Sequence, residues 1–461
     1  MKILVINVSL RPQSKEKLFP IGLGYITTAM KNAGYDFDIW DIDAYRYSDQ
    51  DVESFLINNE YDVVCMGCIV TGYKIIKTLS LITKNSHPKT TIIVGNSVAS
   101  SVVEMLLSRT GVDIAVQGEG DETIIELLEA IRHEKPLNSI PGICFSKDGA
   151  IVSTPPRQPI RNISVLPFID FSIFDVELYI NQSKVSVSDP LPIPREQVRA
   201  LPVNIARGCI GNCGFCYHVF KGVPYRYRMP DSIVSEIRML IQKYSLNYIN
   251  FWDELTFFSK KNTLELVQKI IDEDLHFYWT GSCRADLFTD DNDIYVIEKM
   301  KEAGCMGMLF SLESADPEIL QAMNKRITVE QFSQQTKMFH KGGLTAWTSL
   351  VLGYPQETPE TIRKTFDCCI RNKIYPSVGY LLPQPGSHVY DYARKHGFIE
   401  NEEDYLMRMG DRQDLRINMT TMTDEEFQGH VLDGLKRCNK ELNLGLLQDQ
   451  LIKTQYFRAK K

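Results

Sequence analysis

No apolar run in this chain approaches the roughly 20 residues that a bilayer-spanning helix needs. The opening Met1-Lys2-Ile3-Leu4-Val5-Ile6-Asn7 is too short and too soon interrupted for a secretory signal. Basic charge is nowhere concentrated: 51 Lys and Arg face 58 Asp and Glu, for a net charge of -7. That balance argues against nucleic acid as the main partner, and the run Arg458, Lys460, Lys461 reads as a solvated tail. No internal repeat or low-complexity tract stands out, so a solenoid array is not expected. Histidine is scarce, with 8 in 461 residues and none before His87. What the chain does have is 11 cysteines without a secretory signal. Reduced thiols and metal chemistry are then expected in place of a disulfide framework, in a soluble cytoplasmic protein. With 44% hydrophobic residues the chain is long enough for two or three domains.

The pattern predicts an α/β protein. Ile3–Asn7, Phe37–Trp40, Val63–Cys68, Thr91–Val94 and Ile114–Val116 are short β-branched runs. Helical patterns separate them at Gly22–Ala33, Val52–Ile57, Tyr73–Ile82, Val98–Ser108 and Glu122–Arg132. Strands alternating with crossover helices predict a parallel, doubly wound sheet over 1–137, with ligands beyond the carboxyl ends of its strands. Those ends carry small and polar residues: Cys68 to Gly72, Gly95-Asn96-Ser97 and Gly118-Glu119-Gly120. Residues 138–200 read as a connector, with a small hairpin at Gly142–Phe145 and Ile151–Thr154 and then repeated prolines. Over 201–399 six further strands are predicted: Val203–Ala206, Tyr248–Trp252, Phe277–Thr280, Met308–Ser311, Trp347–Leu352 and Ser377–Leu381. With their helices they suggest a partial (β/α)6 barrel, whose site residues lie just past the strands. The span 400–461 reads as a charged, helical C-terminal region.

Cys209, Cys213 and Cys216 lie in Arg207-Gly208-Cys209-Ile210-Gly211-Asn212-Cys213-Gly214-Phe215-Cys216-Tyr217, after the stretch Leu201 to Ala206 that reads as a strand. Three thiolates on one loop suit an iron–sulfur cluster with one iron left open. Zinc sites bring closely spaced pairs together, and no second pair follows here. Three buried thiols in a turn is the bland alternative. An exposed cluster would favour a low-oxygen setting. Cys65-Met66-Gly67-Cys68 looks like a redox pair, but within a buried strand it reads as core thiols, with Cys68 at the strand end.

The Cys-x-x-x-Cys-x-aromatic-Cys loop resembles the radical S-adenosylmethionine enzymes. The resemblance implies a [4Fe–4S] cluster on Cys209, Cys213 and Cys216 whose open iron binds S-adenosylmethionine and cleaves it to a 5′-deoxyadenosyl radical. Later segments follow the family in order. Trp252-Asp253-Glu254 matches its acidic turn. Arg284-Ala285-Asp286 closes the third strand, where Arg suits a carboxylate. Glu313-Ser314 matches its Glu-Ser pair, Gly353-Tyr354-Pro355-Gln356-Glu357 its Gly-x-Pro-x-Glu turn, and Pro383-Gln384-Pro385-Gly386 its Pro-x-Pro-Gly segment. Phe215, Tyr217, Asp253, Glu254, Arg284, Glu313, Ser314, Gly353, Glu357 and Pro383 are thereby implied at S-adenosylmethionine.

A second resemblance covers the N-terminal domain. Pro20-Ile21-Gly22-Leu23-Gly24-Tyr25, Val94-Gly95-Asn96 and Gly118-Glu119-Gly120-Asp121-Glu122 are similar to the cobalamin-binding domain of cobalamin-dependent radical enzymes. It implies Pro20, Gly22, Leu23, Cys68, Val70, Thr71, Tyr73, Gly95, Asn96, Gly118, Glu119 and Gly120 around cobalamin. The Asp-x-His-x-x-Gly motif of methionine-synthase-type domains is missing, and Asn96 stands where the family often has Gly. The lower cobalt face would then meet water or the loop Ile69 to Tyr73.

Together the resemblances imply a methyltransferase acting on an unactivated carbon through the 5′-deoxyadenosyl radical and methylcobalamin. A small-molecule or lipid substrate is expected, with a flavodoxin- or ferredoxin-like electron donor. Cyclisation, ring rearrangement or oxidation without methyl transfer is the alternative. Methylthiotransfer would need more N-terminal cysteines than Cys65, Cys68 and Cys144. The connector around Asp189–Arg199 and the tail after Glu400 are expected to shape the substrate pocket.

Overall fold

The computed structural model describes residues 1–452. Arg458, Lys460 and Lys461 lie outside the described residues.

Strands β1 (Ile3–Asn7), β2 (Asp38–Asp41), β3 (Val63–Gly67), β4 (Thr91–Gly95) and β5 (Ile114–Val116) pair in parallel in the order β2-β1-β3-β4-β5. Apolar residues on both faces of each strand require cover on both sides. On β1, Ile3 and Val5 pack with Met30, Leu127 and Leu128 on one face. Leu4 and Ile6 pack with Leu56, Tyr73 and Ile76 on the other. The chain moves outward to β2 on one side of β1 and to β3 on the other. That reversal opens a crevice at the carboxyl ends of β1 and β3.

Two expectations change here. The hairpin β6 (Ile143–Lys147) and β7 (Ala150–Ser153), placed in the connector by its sequence, pairs antiparallel with β5 and extends the first sheet to seven strands. The helix expected over Val98–Ser108 is two helices, Ser97–Ser101 and Val103–Arg109, broken at Val102. The connector then packs aromatic rings between the first helix and the core of the second half. Phe171, Phe174 and Tyr179 lie 4.5, 5.1 and 5.3 Å from the Phe19 ring.

The second half opens with β8 (Ala200–Val203). A two-residue antiparallel ladder, β9 (Ala206–Arg207) with β10 (Arg226–Tyr227), closes the neck of the cysteine loop. Then β11 (Tyr248–Phe251), β12 (Tyr278–Ser282), β13 (Cys305–Leu309) and β14 (Thr345–Trp347) extend β8 into a parallel sheet, each pairing with its predecessor. After a break at Thr348, β15 (Ser349–Leu352) continues the fifth strand and pairs with β16 (Ser377–Tyr380). The break is bridged by Thr348 Oγ1, which donates to Phe310 O and accepts from Leu312 N. The result is six consecutive parallel positions, the expected partial barrel. The first strand begins three residues earlier than expected because Pro202 fits an edge strand, where no ladder donor is needed.

Helix Asp424–Glu441 packs on Pro359–Arg371 outside the barrel. One cluster of buried side chains runs from Leu4, Ile6 and Met66 through Tyr73 to Ile319, Tyr354, Tyr390 and Leu406. The two halves therefore share a continuous core.

Candidate functional site

A cavity of about 800 Å³ lies where the carboxyl edge of the first sheet meets the barrel mouth. The sheet contributes Pro20, Gly22, Leu23, Cys68, Thr71, Gly95, Asn96, Gly118, Glu119 and Gly120. The barrel contributes Asn204, Ala206, Trp252, Glu254, Leu382 and Gln384. The glycines tell most about fit. A Cβ built at Gly22, Gly67, Gly95 or Gly118 meets no atom within 4 Å, although all four line this cavity. They hold open a volume that side chains would fill, as a backbone cradle for a large flat group does. Asn96 sits at φ 72°, the left-handed region that favours glycine, so the sequence departure there keeps a glycine-like backbone.

Val70 and Tyr73 do not reach the cavity. Val70 packs in the shared core, with its amide donating to Ser97 Oγ at 2.9 Å. Tyr73, on the first turn of its helix, points inward, and its hydroxyl donates to Glu403 Oε1 at 3.3 Å. Glu119 lines the cavity, but its carboxylate is occupied by Arg207, Arg226 and the amide of Ile160. Burial pushes the Cys65 and Cys68 thiols up to about 12, so both are held as protonated core thiols. Both nevertheless touch the cavity.

The cysteine loop stands beside this cavity. Its backbone is fixed by the barrel: Gly214 N donates to Met323 O (2.8 Å), Asn324 Nδ2 to Asn212 O (2.7 Å) and Val389 N to Gly214 O (3.1 Å). Tyr217 packs against Gly386, where a Cβ would lie 2.5 Å from its ring, and Phe215 packs on the shared core. A Cβ at Gly211 would lie 3.4 Å from Cys209 Sγ, 3.7 Å from Cys213 Sγ and 3.5 Å from Arg284 Nη1. Burial and then the neighbouring thiols push Cys216 up to about 12; burial raises Cys213, while Lys325 and Arg284 pull it down. Among the described residues no three ligand side chains close on a single ion. A four-iron cluster takes each thiolate on a different iron, so three separated thiols with cations nearby fit it better than a mononuclear site.

Around the loop the expected cofactor residues divide. Glu313 is buried at φ 65°; Lys325 Nζ donates to its Oε1 at 2.8 Å, and its Oε2 is buried without a partner. The Tyr354 hydroxyl is likewise buried without a partner. Two orphaned polar atoms beside the cysteine loop suit a hydroxyl- and amine-bearing ligand such as S-adenosylmethionine. Glu254 lines the cavity and accepts from Gly208 N at 3.3 Å.

Other expected contacts are committed elsewhere. Asp253 Oδ1 accepts from the amides of Ile205 (2.9 Å) and Ala206 (3.0 Å), bracing the entry to the loop, and burial pushes its carboxyl up to about 7. Arg284 forms a bidentate pair with Asp286, both bonds 3.0 Å, which leaves Nη1 toward the loop. Ser314 is fully buried and caps its own turn by accepting from Asp316 N. Glu357 accepts from Gly353 N (3.3 Å) and Thr361 Oγ1 (2.5 Å), closing the turn from within. Gly353, at φ 110°, allows Phe427 to pack on that turn. Pro383 is buried, and its carbonyl accepts from Tyr405. Asp253 Oδ2 is nevertheless buried without a partner and Arg284 Nη1 faces the loop, whereas Ser314, Glu357, Gly353 and Pro383 shape the site's walls without offering free polar atoms to it.

Gly410, Asp411 and Arg412 of the tail line the cavity, whereas no residue of Asp189–Arg199 does. The connector packs instead on the barrel's outside, with Val198 against Tyr248. Arg11 Nε pairs with Asp411 Oδ2 at 2.9 Å across the cavity rim. Tyr354, Lys325, Asp121, Arg207 and Arg226 were missed from sequence. Arg207, Asp121 and Tyr354 lie inside motifs quoted from the sequence, but nothing in those motifs marks their side chains, and Lys325 and Arg226 lie outside them.

Residues 10–128 match the B12 binding domain family, and residues 203–369 match the Radical SAM superfamily. An uncharacterized methyltransferase of Pyrococcus horikoshii is 27% identical over 380 residues, 81% of this chain and 78% of the relative. The anaerobic magnesium-protoporphyrin IX monomethyl ester cyclase of Rubrivivax gelatinosus is 26% identical over 357 residues, and the match spans 75% of this chain and 61% of the cyclase. The fold is similar to that of the radical S-adenosylmethionine methyltransferase TsrM from Kitasatospora setae, solved with cobalamin and a [4Fe–4S] cluster bound: TM-score 0.64, 18% identity, 86% of this chain and 75% of that chain. With a B12 binding domain followed by a radical SAM barrel, and a cavity shared between them, the chain belongs to the cobalamin-dependent radical S-adenosylmethionine enzymes.

Proposed function

We propose that the protein transfers a methyl group to an unactivated carbon of a small-molecule or lipid substrate. The observation that carries this reading is the single cavity walled on one side by the glycine cradle of the first sheet and on the other by the barrel mouth. When bound, the cluster delivers the electron that cleaves S-adenosylmethionine to a hydrogen-abstracting radical, and cobalamin carries the methyl group. The chain's own part is placement. Cys209, Cys213 and Cys216 would hold the cluster. Glu313 and Tyr354 would take polar groups of S-adenosylmethionine on their orphaned oxygens. Glu254 would take its amine at the barrel mouth. Gly22, Gly67, Gly95 and Gly118 would leave room for the corrin plane. The Arg11–Asp411 pair narrows the rim and limits water entry.

Among the described residues no helix is long and apolar enough to cross a membrane. A cytoplasmic enzyme reduced by a flavodoxin- or ferredoxin-like donor is consistent with this. Cyclisation without methyl transfer uses the same cofactors, and product analysis separates the two. Reconstituted enzyme, reductant, methyl-labelled S-adenosylmethionine and a substrate panel should give labelled product with equal amounts of 5′-deoxyadenosine and S-adenosylhomocysteine. 5′-Deoxyadenosine with a converted, unlabelled product would refute methyl transfer in favour of cyclisation.

A further inference from the structure

Two arginines face each other at the neck of the cysteine loop. Arg207 and Arg226 are direct partners in the β9–β10 ladder, and the loop between them carries all three cysteines. Like charges directly opposite in a ladder are destabilising unless something neutralises them. Both side chains are nearly buried, at 11% and 8% exposure, so water does little of that work.

The neutralising groups come from the other domain. Arg207 Nη1 donates to Glu119 Oε1 at 2.6 Å, and Arg226 Nη1 donates to both Glu119 oxygens at 2.9 and 2.8 Å. Arg207 also donates to Asp121 through both terminal nitrogens, at 3.0 and 2.9 Å. Two guanidinium groups thus meet two carboxylates. Arg226 has no acidic partner but Glu119 among the described residues, and its Nε and Nη2 are buried without partners. Glu119 stands between Gly118 and Gly120 on the cavity wall. Phe220 links the same groups to the cavity from the loop side: its ring lies 5.9 Å from the Arg207 guanidinium and 5.3 Å from that of Arg226.

We propose that Glu119, shared by Arg207 and Arg226, is a positioning residue that sets the cobalamin cradle in register with the cluster loop. The proposal rests on the functional reading above for the presence of both cofactors. The ladder closes the neck through its backbone, and Glu119 ties the neck's two buried charges to the cradle, so a shift of one would carry the other. The barrel's hydrogen bonds fix the far end of the cysteine loop, and this buried network would fix its neck relative to the cradle.

The test is the distance between the two paramagnets. Wild-type enzyme reconstituted with iron, sulfide and hydroxocobalamin is poised with cob(II)alamin and a reduced cluster, and pulsed electron paramagnetic resonance gives their distance distribution. Glu119→Gln keeps the shape but leaves the arginines short of one charge. It should retain both cofactors while the distribution widens about twofold, because a buried charge left without its partner drives local rearrangement. Arg226→Lys replaces the fork with a single point charge; it should widen the distribution too, and it decides the matter if Glu119→Gln fails to fold. A narrow, unshifted distribution in the folded variants, even with a lowered melting temperature, would make the network merely structural and overturn the proposal. Wild-type enzyme retaining iron but no cobalt would instead overturn the functional reading itself, and the clamp with it.

Discussion

Gly95 and Gly72 lie close together at the carboxyl edge of the first sheet, yet they should fail in opposite ways. At Gly95, the last residue of β4, a Cβ meets nothing within 4 Å and projects into the cavity. Gly95→Leu should therefore leave the fold intact, with unfolding free energy changed by less than about 1 kcal/mol. A cofactor occupying that volume is overpacked by the new side chain. Overpacking costs roughly 1–3 kcal/mol, about a 5- to 150-fold loss of affinity. At Gly72 a Cβ would lie 2.0 Å from Cys68 Sγ and 2.6 Å from Leu10 Cδ2. Gly72→Ala should destabilise the protein by roughly 1–3 kcal/mol, because the new Cβ forces Cys68 and Leu10 aside even with no cofactor bound. Urea unfolding of the free proteins and absorbance titration with hydroxocobalamin measure the two quantities. Wild-type cobalamin affinity in Gly95→Leu would refute the cradle.

Further outcomes follow from the geometry. Burial pushes the Glu357 carboxyl from 4.5 up to about 7, so the folded state takes up a proton that the unfolded state releases. That stability is present below pH 4.5 and is lost as pH rises through 7, about 3 kcal/mol in all. Glu357→Gln should flatten the pH dependence of urea unfolding between pH 5 and 7, and an unchanged slope would contradict the assignment. Gly434 lets helix Asp424–Glu441 approach Phe366, whose ring atoms lie 2.1 to 2.5 Å from a built Cβ. Gly434→Ala should cost roughly 1–3 kcal/mol in urea unfolding, and unchanged stability would show that the helices repack freely. Cys213→Ala should lose the iron and all S-adenosylmethionine cleavage while retaining cobalamin; retained cleavage would refute the cluster assignment.

Much of this architecture was legible because its signals are local. Both parallel sheets follow from β-branched runs at regular spacing, and β1 and β5 match their expected bounds. The cysteine loop was readable from spacing alone. Side-chain direction at the strand ends was not. Ser314 and Glu357 sit in the expected turns but point inward, because their oxygens satisfy the turns' own amides. Tyr73 begins the expected helix, but that helix's apolar face carries it into the shared core. The residues missed at the neck depend on long-range pairing: Arg207 and Arg226 find their carboxylates 86 to 107 positions away. No window of sequence holds both halves of that network. The hairpin β6–β7 was misplaced for a related reason, since its pattern reveals two strands but not which sheet edge accepts them.

The central claim is that one chain holds cobalamin in the glycine-lined cavity and an iron–sulfur cluster on the cysteine loop beside it. Anaerobic reconstitution with iron, sulfide and hydroxocobalamin, followed by desalting and a metal count, tests it most directly. The account predicts about four irons and about one cobalt per chain, the content of one cluster and one corrinoid. Iron without cobalt would contradict it, leaving a radical enzyme whose glycine-lined cradle binds something else.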